Sequence, residues 1–223
     1  MDAAIIRVKH PRIAHLPWSR HADDDDERAS SVSALVGREV VVLEKRDGEN
    51  TTLYRDHHHA RSLMSGAHPS RSKLAALHAC VAPLIPSDVR ICGENVSALH
   101  SLRYHALRDL FEAFSAWRGD ACFSWDDTEE LARDVGLSTV PVLWRGTWDD
   151  AMVRSIDVTK LQGDPCEGYV VRPAGGFTVD EFASTVLKMR AVRVTSDEHW
   201  MHKRVVWNCA AGRCAHGADA QPR

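Results

Sequence analysis

No run of apolar residues in this chain is long enough to cross a bilayer. The opening residues, MDAAIIRVKH, also lack the extended apolar core of a secretory signal. These absences exclude membrane-spanning classes and a membrane partner, and the chain reads as cytoplasmic. Framework cysteine spacing is missing too: the six cysteines stand scattered at 80, 92, 122, 166, 209 and 214. They read as reduced thiols, not as a disulfide scaffold. A structural zinc site usually takes four ligands in close pairs, whereas Cys209, Cys214 and His216 offer three in a small, polar stretch. Residues 209–223 are therefore expected to form a disordered tail. No segment repeats, and 223 residues with 44% hydrophobic content allow one well-buried domain, taken as residues 1–208.

A surplus of charge of one sign is also absent. The net charge is −3, which at first argues against a polyanionic partner. Five acids are consecutive, however: Asp23, Asp24, Asp25, Asp26 and Glu27. Setting those five aside turns −3 into +2. Such a block is usually solvated, and residues 21–33 read as a flexible acidic loop. The remaining Lys and Arg could still line one basic face.

Periodicity divides the rest of the chain. Strands are expected at Ala4–Val8, Arg38–Lys45, 51–55, Val89–Gly93, Val140–Trp144 and Gly168–Arg172. The Asp47–Gly48 pair is a turn signal between two of them. Helices are expected from Ser70, as N-cap, to about Cys80, ended by Pro83 and Pro86, and from Asp127 to Gly136. Thr178 opens a third segment, to about Arg190, with a capping-type Thr-x-x-Glu, helical at first. Residues 104–117 have mixed periodicity, and propensity alone makes part of them helix. Tight returns between strands imply mainly antiparallel sheets flanked by helices, an α+β fold.

The chemically informative segment is Glu44-Lys45-Arg46-Asp47-Gly48-Glu49-Asn50. A lysine ends an apolar strand and an acidic turn follows at once. A lysine amine becomes nucleophilic when desolvation or nearby cations lower its pKa. The bland reading of the same residues is a solvated hairpin.

Further elements follow in order, and with them the chain resembles the covalent nucleotidyltransferase superfamily of DNA ligases, RNA ligases and mRNA capping enzymes. Lys45-Arg46-Asp47-Gly48 resembles its first motif, whose lysine forms lysyl-AMP. Arg61-Ser62 resembles the next, whose arginine contacts the nucleotide or the nucleic-acid end. Gly93-Glu94 is similar to the ribose-binding motif, and Phe111-Glu112-Ala113-Phe114 to the purine-stacking one, with Phe114 as the stacker. Glu167-Gly168-Tyr169-Val170-Val171-Arg172 resembles the motif whose glutamate helps bind metal. Leu187-Lys188-Met189-Arg190 resembles the one whose basic residues hold the triphosphate. Two departures stand out: Ser115 follows Phe114 where the family often has aspartate, and Arg190 stands where lysine is usual.

The resemblance implies a nucleotidyltransferase fold, with ATP as AMP donor and Mg2+ or Mn2+ as cofactor. It implies Lys45, Lys188 and Arg190 as catalytic residues. Glu44, Lys45, Asn50, Arg61, Glu94, Phe114, Lys188 and Arg190 would bind the nucleotide, and Glu167 and Asp47 the metal. Family members of the DNA-ligase and capping type carry an OB-fold domain after the last motif, and residues 191–223 are too few for one. Glu-Lys-x-x-Gly-x-Asn around Lys45 is similar to RNA ligases of the strand-repairing phage and trypanosome type. Pro11–Trp18 and Thr195–His202 resemble a group of small bacterial and phage RNA ligases. The expected activity is ATP-dependent RNA ligation. A small DNA ligase and a non-catalytic binding module of the same fold remain the alternatives. The expected partners are RNA ends, in a nicked duplex, an RNA–DNA hybrid or a broken loop, with room for end-processing repair proteins.

Other residues carry blander expectations. His57, His58, His59 and His68 read as an exposed loop near nucleic acid, because neighbours on a strand cannot share one ion. Trp144 reads as strand packing and Trp200 as a core or lid residue. Arg103, Arg154 and Lys160 are balanced between phosphate contact and solvation.

Overall fold

The computed structural model describes residues 6–22, 26–105, 107–161, 163–192 and 204–209. The chain runs β1 (Ala14–His15), β2 (Glu39–Lys45), β3 (Glu49–Leu53), β4 (His58–Ala60), α1 (Ser72–Val81), β5 (Val89–Asn95), β6 (Phe111–Arg118) and β7 (Ala121–Cys122). It continues with α2 (Trp125–Asp134), β8 (Ser138–Thr139), β9 (Val142–Thr147), α3 (Asp150–Ser155), β10 (Gly168–Pro173), β11 (Phe177–Thr178), α4 (Val179–Thr185) and β12 (Leu187–Arg190).

Two sheets result. One has the order β1-β12-β10-β2-β9, antiparallel except where β1 joins β12. The other has the order β11-β7-β6-β5-β3-β4, with β8 lying parallel on β6. The fold is α+β, as expected. Strand β2 is apolar through Val40, Val41, Val42 and Leu43 because both its faces are covered. Val40 and Val42 pack with Leu16, Leu35 and Tyr169, while Val41 and Leu43 pack with Trp125 and Val140. Each such side chain stabilises the fold by roughly 1.5–3 kcal/mol relative to exposure. The chain passes from the first sheet to the second at residues 46–48, so Lys45 lies at the seam between them.

Several expectations need correction. Residues 1–5 lie outside the described residues, and Ile6–Val8 form no strand; the Val8 N–H goes to Tyr54 Oη at 3.1 Å. Residues 111–118 are strand throughout, and their buried pattern hid the two-residue alternation that marks a one-sided strand. Ser70 is not the cap of α1: it lies in a preceding 3-10 turn capped by His68. His58–Ala60 are strand, and His59, 5% exposed, packs on Tyr54. The described part of residues 21–33 is not merely a solvated loop. Arg28 donates to the carbonyls of Leu16, Pro17 and Ser19, and Asp26 is engaged as described below.

Cys80, Cys92, Cys122 and Cys166 are free thiols. Cys209 is disulfide-bonded, against the expectation of reduced thiols throughout. Its backbone also pairs with Leu107 and Tyr104, which ties residue 209 into the fold. Trp200, Thr195–His202 and the rest of the tail lie outside the described residues. Arg154 pairs with Asp150 and lies over Trp18, Arg103 is exposed, and Trp144 packs against the first core. No helix among the described residues is long and apolar enough to cross a membrane.

Candidate active site

The turn after β2 is fixed on several sides. Asp47 Oδ2 accepts the N–H groups of Ser101 and Leu102 at 2.8 and 2.7 Å, and the Asp47 N–H donates to Tyr104 Oη at 2.8 Å. The Gly48 N–H donates to Glu94 Oε1 at 3.2 Å. A Cβ on Gly48 would stand 2.5 Å from the Asn95 carbonyl oxygen, so only glycine lets the turn approach β5 this closely. The lysine that precedes the turn is thereby aimed with little freedom.

Beside this turn lies a cavity of about 200 Å³ between the two sheets. Glu44, Lys45, Asn50, Arg61, Glu94, Phe114 and Lys188 all line it, so residues spread over 144 positions of sequence meet in one place. Asn50 and Glu94 face each other across β3 and β5. The Asn50 Oδ1 and the Arg61 Nε and Nη2 are buried without a hydrogen-bond partner among the described residues. Buried polar atoms left unpaired are costly, and here they border an open cavity that a polar ligand would fill. Its other end is apolar: Leu43, Val170, Phe182 and Phe114.

Glu167, Arg190 and Asp47 stand just behind this lining. Glu167 Oε2 accepts a hydrogen bond from Lys45 Nζ, and its Oε1 pairs with Arg190 Nε at 2.9 Å. Lys188 and Arg190 alternate on β12, hence share a face, but only Lys188 reaches the cavity. Asp47, expected as a metal ligand, spends its Oδ2 on the loop at 101–102.

Electrostatics here are strongly opposed. Burial disfavours the charge on Lys45, yet Glu167, Glu94 and Asp47 outweigh it, and its pKa lies above the ordinary lysine value. That corrects the simple expectation of a lowered pKa: the acids around Lys45 favour its ammonium form. Burial pushes the Glu94 carboxyl up to about 8, despite Lys45 pulling it down. Burial lowers the Lys188 pKa, resisted by Asp26.

Sequence reasoning missed several residues of the site. Arg46 donates to Glu112 and Glu44, at 2.6 Å each, and lies over the Tyr104 ring. Its only signal was its place inside Lys-x-Asp-Gly. His10 lines the cavity between the rings of Phe114 and Phe182, at centroid distances of 5.3 and 5.4 Å. Asp26 lies against Lys188, and His15 against Asp26. Nothing local announces these contacts.

The family model for RNA ligase matches residues 38–190. The chain belongs to the RNA ligase family. That span holds every expected site residue, from Glu44 to Arg190, and leaves His10, His15 and Asp26 outside it. Among solved structures, the family fold returns in a putative ATP-dependent DNA ligase from Aquifex aeolicus, with TM-score 0.51, 16% identity, 83% of this chain and 50% of that one covered. An archaeal ATP-dependent RNA ligase is similar with TM-score 0.51, 15% identity, 82% of this chain and 48% of that one. The chain thus spans about half the length of these structures. No curated protein matches its sequence.

Proposed function

We propose that this protein is an ATP-dependent RNA ligase that joins a 5′-phosphate to a 3′-hydroxyl. Lys45 Nζ attacks the α-phosphorus of ATP; a P–N bond forms, the bond to the β-phosphate oxygen breaks, and pyrophosphate leaves. An oxygen of the RNA 5′-phosphate then displaces the lysine and takes the AMP. The 3′-hydroxyl next attacks that 5′-phosphorus and expels AMP. Splitting the reaction this way replaces one difficult displacement by easier ones.

The observation that carries this reading is the meeting of Lys45, Glu94, Asn50, Arg61 and Lys188 around one cavity with an aromatic wall. Phe114 stacks on the purine, Glu94 takes the ribose, and Lys188 takes the phosphates. Arg190 works from behind through Glu167. The donor set fits a hard divalent cation, Mg2+ or Mn2+. Among the described residues no group of three or more His, Cys, Asp or Glu is arranged to hold an ion alone. A site that shares its cation with substrate phosphates needs only one or two carboxylates. Glu167 would hold it, with Asp47 nearby. When bound, the cation supplies positive charge to the α-phosphate oxygens. Around it, Lys45 has to lose its proton before it attacks, and every cation that engages Glu167 loosens the hold of that carboxylate on the lysine.

Incubation with ATP labelled on the α-phosphate tests the reading. Wild-type protein should become labelled, chelation of divalent ions should stop it, and Lys45→Ala should abolish it. A labelled Lys45→Ala protein would remove Lys45 from its role, and an unlabelled wild type would favour a non-catalytic module. A panel of 5′-phosphorylated RNA and DNA ends, nicked and single-stranded, then separates RNA from DNA ligation.

A further inference from the structure

Lys188 does not meet the cavity as a free side chain. Its Nζ donates to both oxygens of Asp26, at 3.1 and 3.1 Å. Asp26 Oδ2 also accepts from His15 Nε2 at 2.7 Å. His15 is fully buried, and its Nδ1 meets Ser19 Oγ at 2.7 Å. Ser19 Oγ in turn accepts the Arg190 N–H at 3.0 Å. The protons order themselves along this chain: the Asp26 carboxylate requires a donor at Nε2, so Nδ1 of a neutral His15 accepts from the serine hydroxyl. The circuit therefore begins and ends on β12, at the backbone of Arg190 and the side chain of Lys188.

The backbone holds the same parts in place. His15 pairs with Lys188 across β1 and β12, and the Leu16 N–H donates to the Lys188 carbonyl at 2.7 Å. The His15 N–H donates to the Glu27 carbonyl at 2.7 Å, which seats the residue next to Asp26. Asp26 thus comes to Lys188 already anchored. A lysine ammonium has three N–H groups on a flexible four-carbon stem. Asp26 engages the ammonium from one side and leaves donor capacity toward the cavity. Lys45 and Arg190 add positive charge near Lys188, and burial works against its own charge. Asp26 is the carboxylate bonded to its ammonium.

We propose that Asp26, anchored by His15, is a positioning residue for Lys188: it keeps the ammonium charged and aimed so that it grips the phosphates of the nucleotide. This rests on the reading that places ATP phosphates at Lys188, and it gives the acidic segment a role that its composition concealed. The contrary role, a carboxylate that occupies the phosphate site and competes with ATP, predicts the opposite sign.

The test is equilibrium binding of an unreactive ATP analogue with carbon bridging the α- and β-phosphates, so that no chemistry at Lys45 is needed. Asp26→Asn should weaken binding roughly tenfold, the scale of one charge-assisted contact. Because Asp26 acts through Lys188, Asp26→Asn combined with Lys188→Ala should bind no more weakly than Lys188→Ala alone. Asp26→Glu should recover most of the loss, which a packing defect would not show. His15→Gln, which leaves the Lys188 pair but frees its anchor, should fall between wild type and Asp26→Asn, and it serves if Asp26→Asn does not fold. Unchanged or tighter binding by Asp26→Asn, additive losses in the double variant, or a wild type that binds no analogue would each overturn the proposal. A protein that binds the analogue but never labels Lys45 would instead overturn the ligase reading alone.

Discussion

Lys45 and His10 face the same cavity with opposite electrostatic fates. Around Lys45 the neighbouring acids, Glu167 foremost, outweigh burial and keep the charge. Around His10 burial dominates, with Arg61 and Arg90 adding to it, and the imidazole pKa falls to about 4. Its Nδ1 lies 3.0 Å from the Pro11 carbonyl oxygen, which only a protonated Nδ1 satisfies, so the ring is neutral with Nε2 unprotonated. Above pH 6.5 the ring is neutral in both the folded and unfolded chain, and it adds no pH dependence. As pH falls from 6.5 toward 4, the unfolded chain takes up a proton that the buried ring refuses. Folding should lose about 3 kcal/mol across that window from this group. His10→Phe keeps an aromatic ring between Phe114 and Phe182 without a titrating nitrogen. Urea midpoints measured from pH 7 to pH 4 should therefore fall less steeply for the variant than for wild type. Parallel profiles would mean that His10 titrates normally.

Among the elements, β10 carries the tightest constraint. Gly168 lies between Lys45 on β2 and Arg190 on β12. A Cβ there would stand 1.9 Å from the Met189 carbonyl oxygen, so the backbone itself would have to move. Gly168→Ala should cost about 1–3 kcal/mol by overpacking. It should also slow lysine adenylylation beyond what stability explains, because β12 carries both Lys188 and Arg190. Normal labelling by a folded Gly168→Ala protein would show that β12 tolerates the shift. The glycine was legible in the sequence as part of a motif, but its steric reason was not. Strand β2, the body of helix α2 and the capping box of α4 were legible because their signals are local: an apolar run, acids in a first turn with Gly136 past the end, Thr178 paired with Glu181, whereas the cap of α2 at Ser124 was not read. Strand β6 was obscured by burial on both faces. Lys45 and Glu94 stood out because one ends an apolar strand and the other follows a glycine, and Glu167 because it stands before Gly168 at the head of an apolar strand. Asp26 did not, since it meets Lys188 across 162 positions of sequence and sits inside a run that composition alone assigns to solvent.

At the scale of the whole molecule, the family-matched span 38–190 is completed by chain on either side of it. Before it, Leu16 and Leu35 are fully buried in the core beneath β2, and β1 covers the edge of β12. Losing both leucines removes about 3–6 kcal/mol of burial, against a total stability of about 5–15 kcal/mol for a typical domain. After it, Asn208 donates to the carbonyls of Val96 and Ala98 at 2.9 and 3.3 Å and accepts the Tyr104 N–H at 3.1 Å. Tyr104 holds the Asp47 N–H, so this flank steadies the turn beside Lys45 at one remove. A chain cut to 38–190 should therefore lose cooperative unfolding and analogue binding, both of which the full chain should show. Thermal melts and limited proteolysis of the two would decide. A 38–190 fragment that melts cooperatively within a few degrees of the full chain would mean that the flanks only decorate the domain. A folded 38–190 chain would still lack Asp26, and it should still bind the analogue more weakly than the full chain.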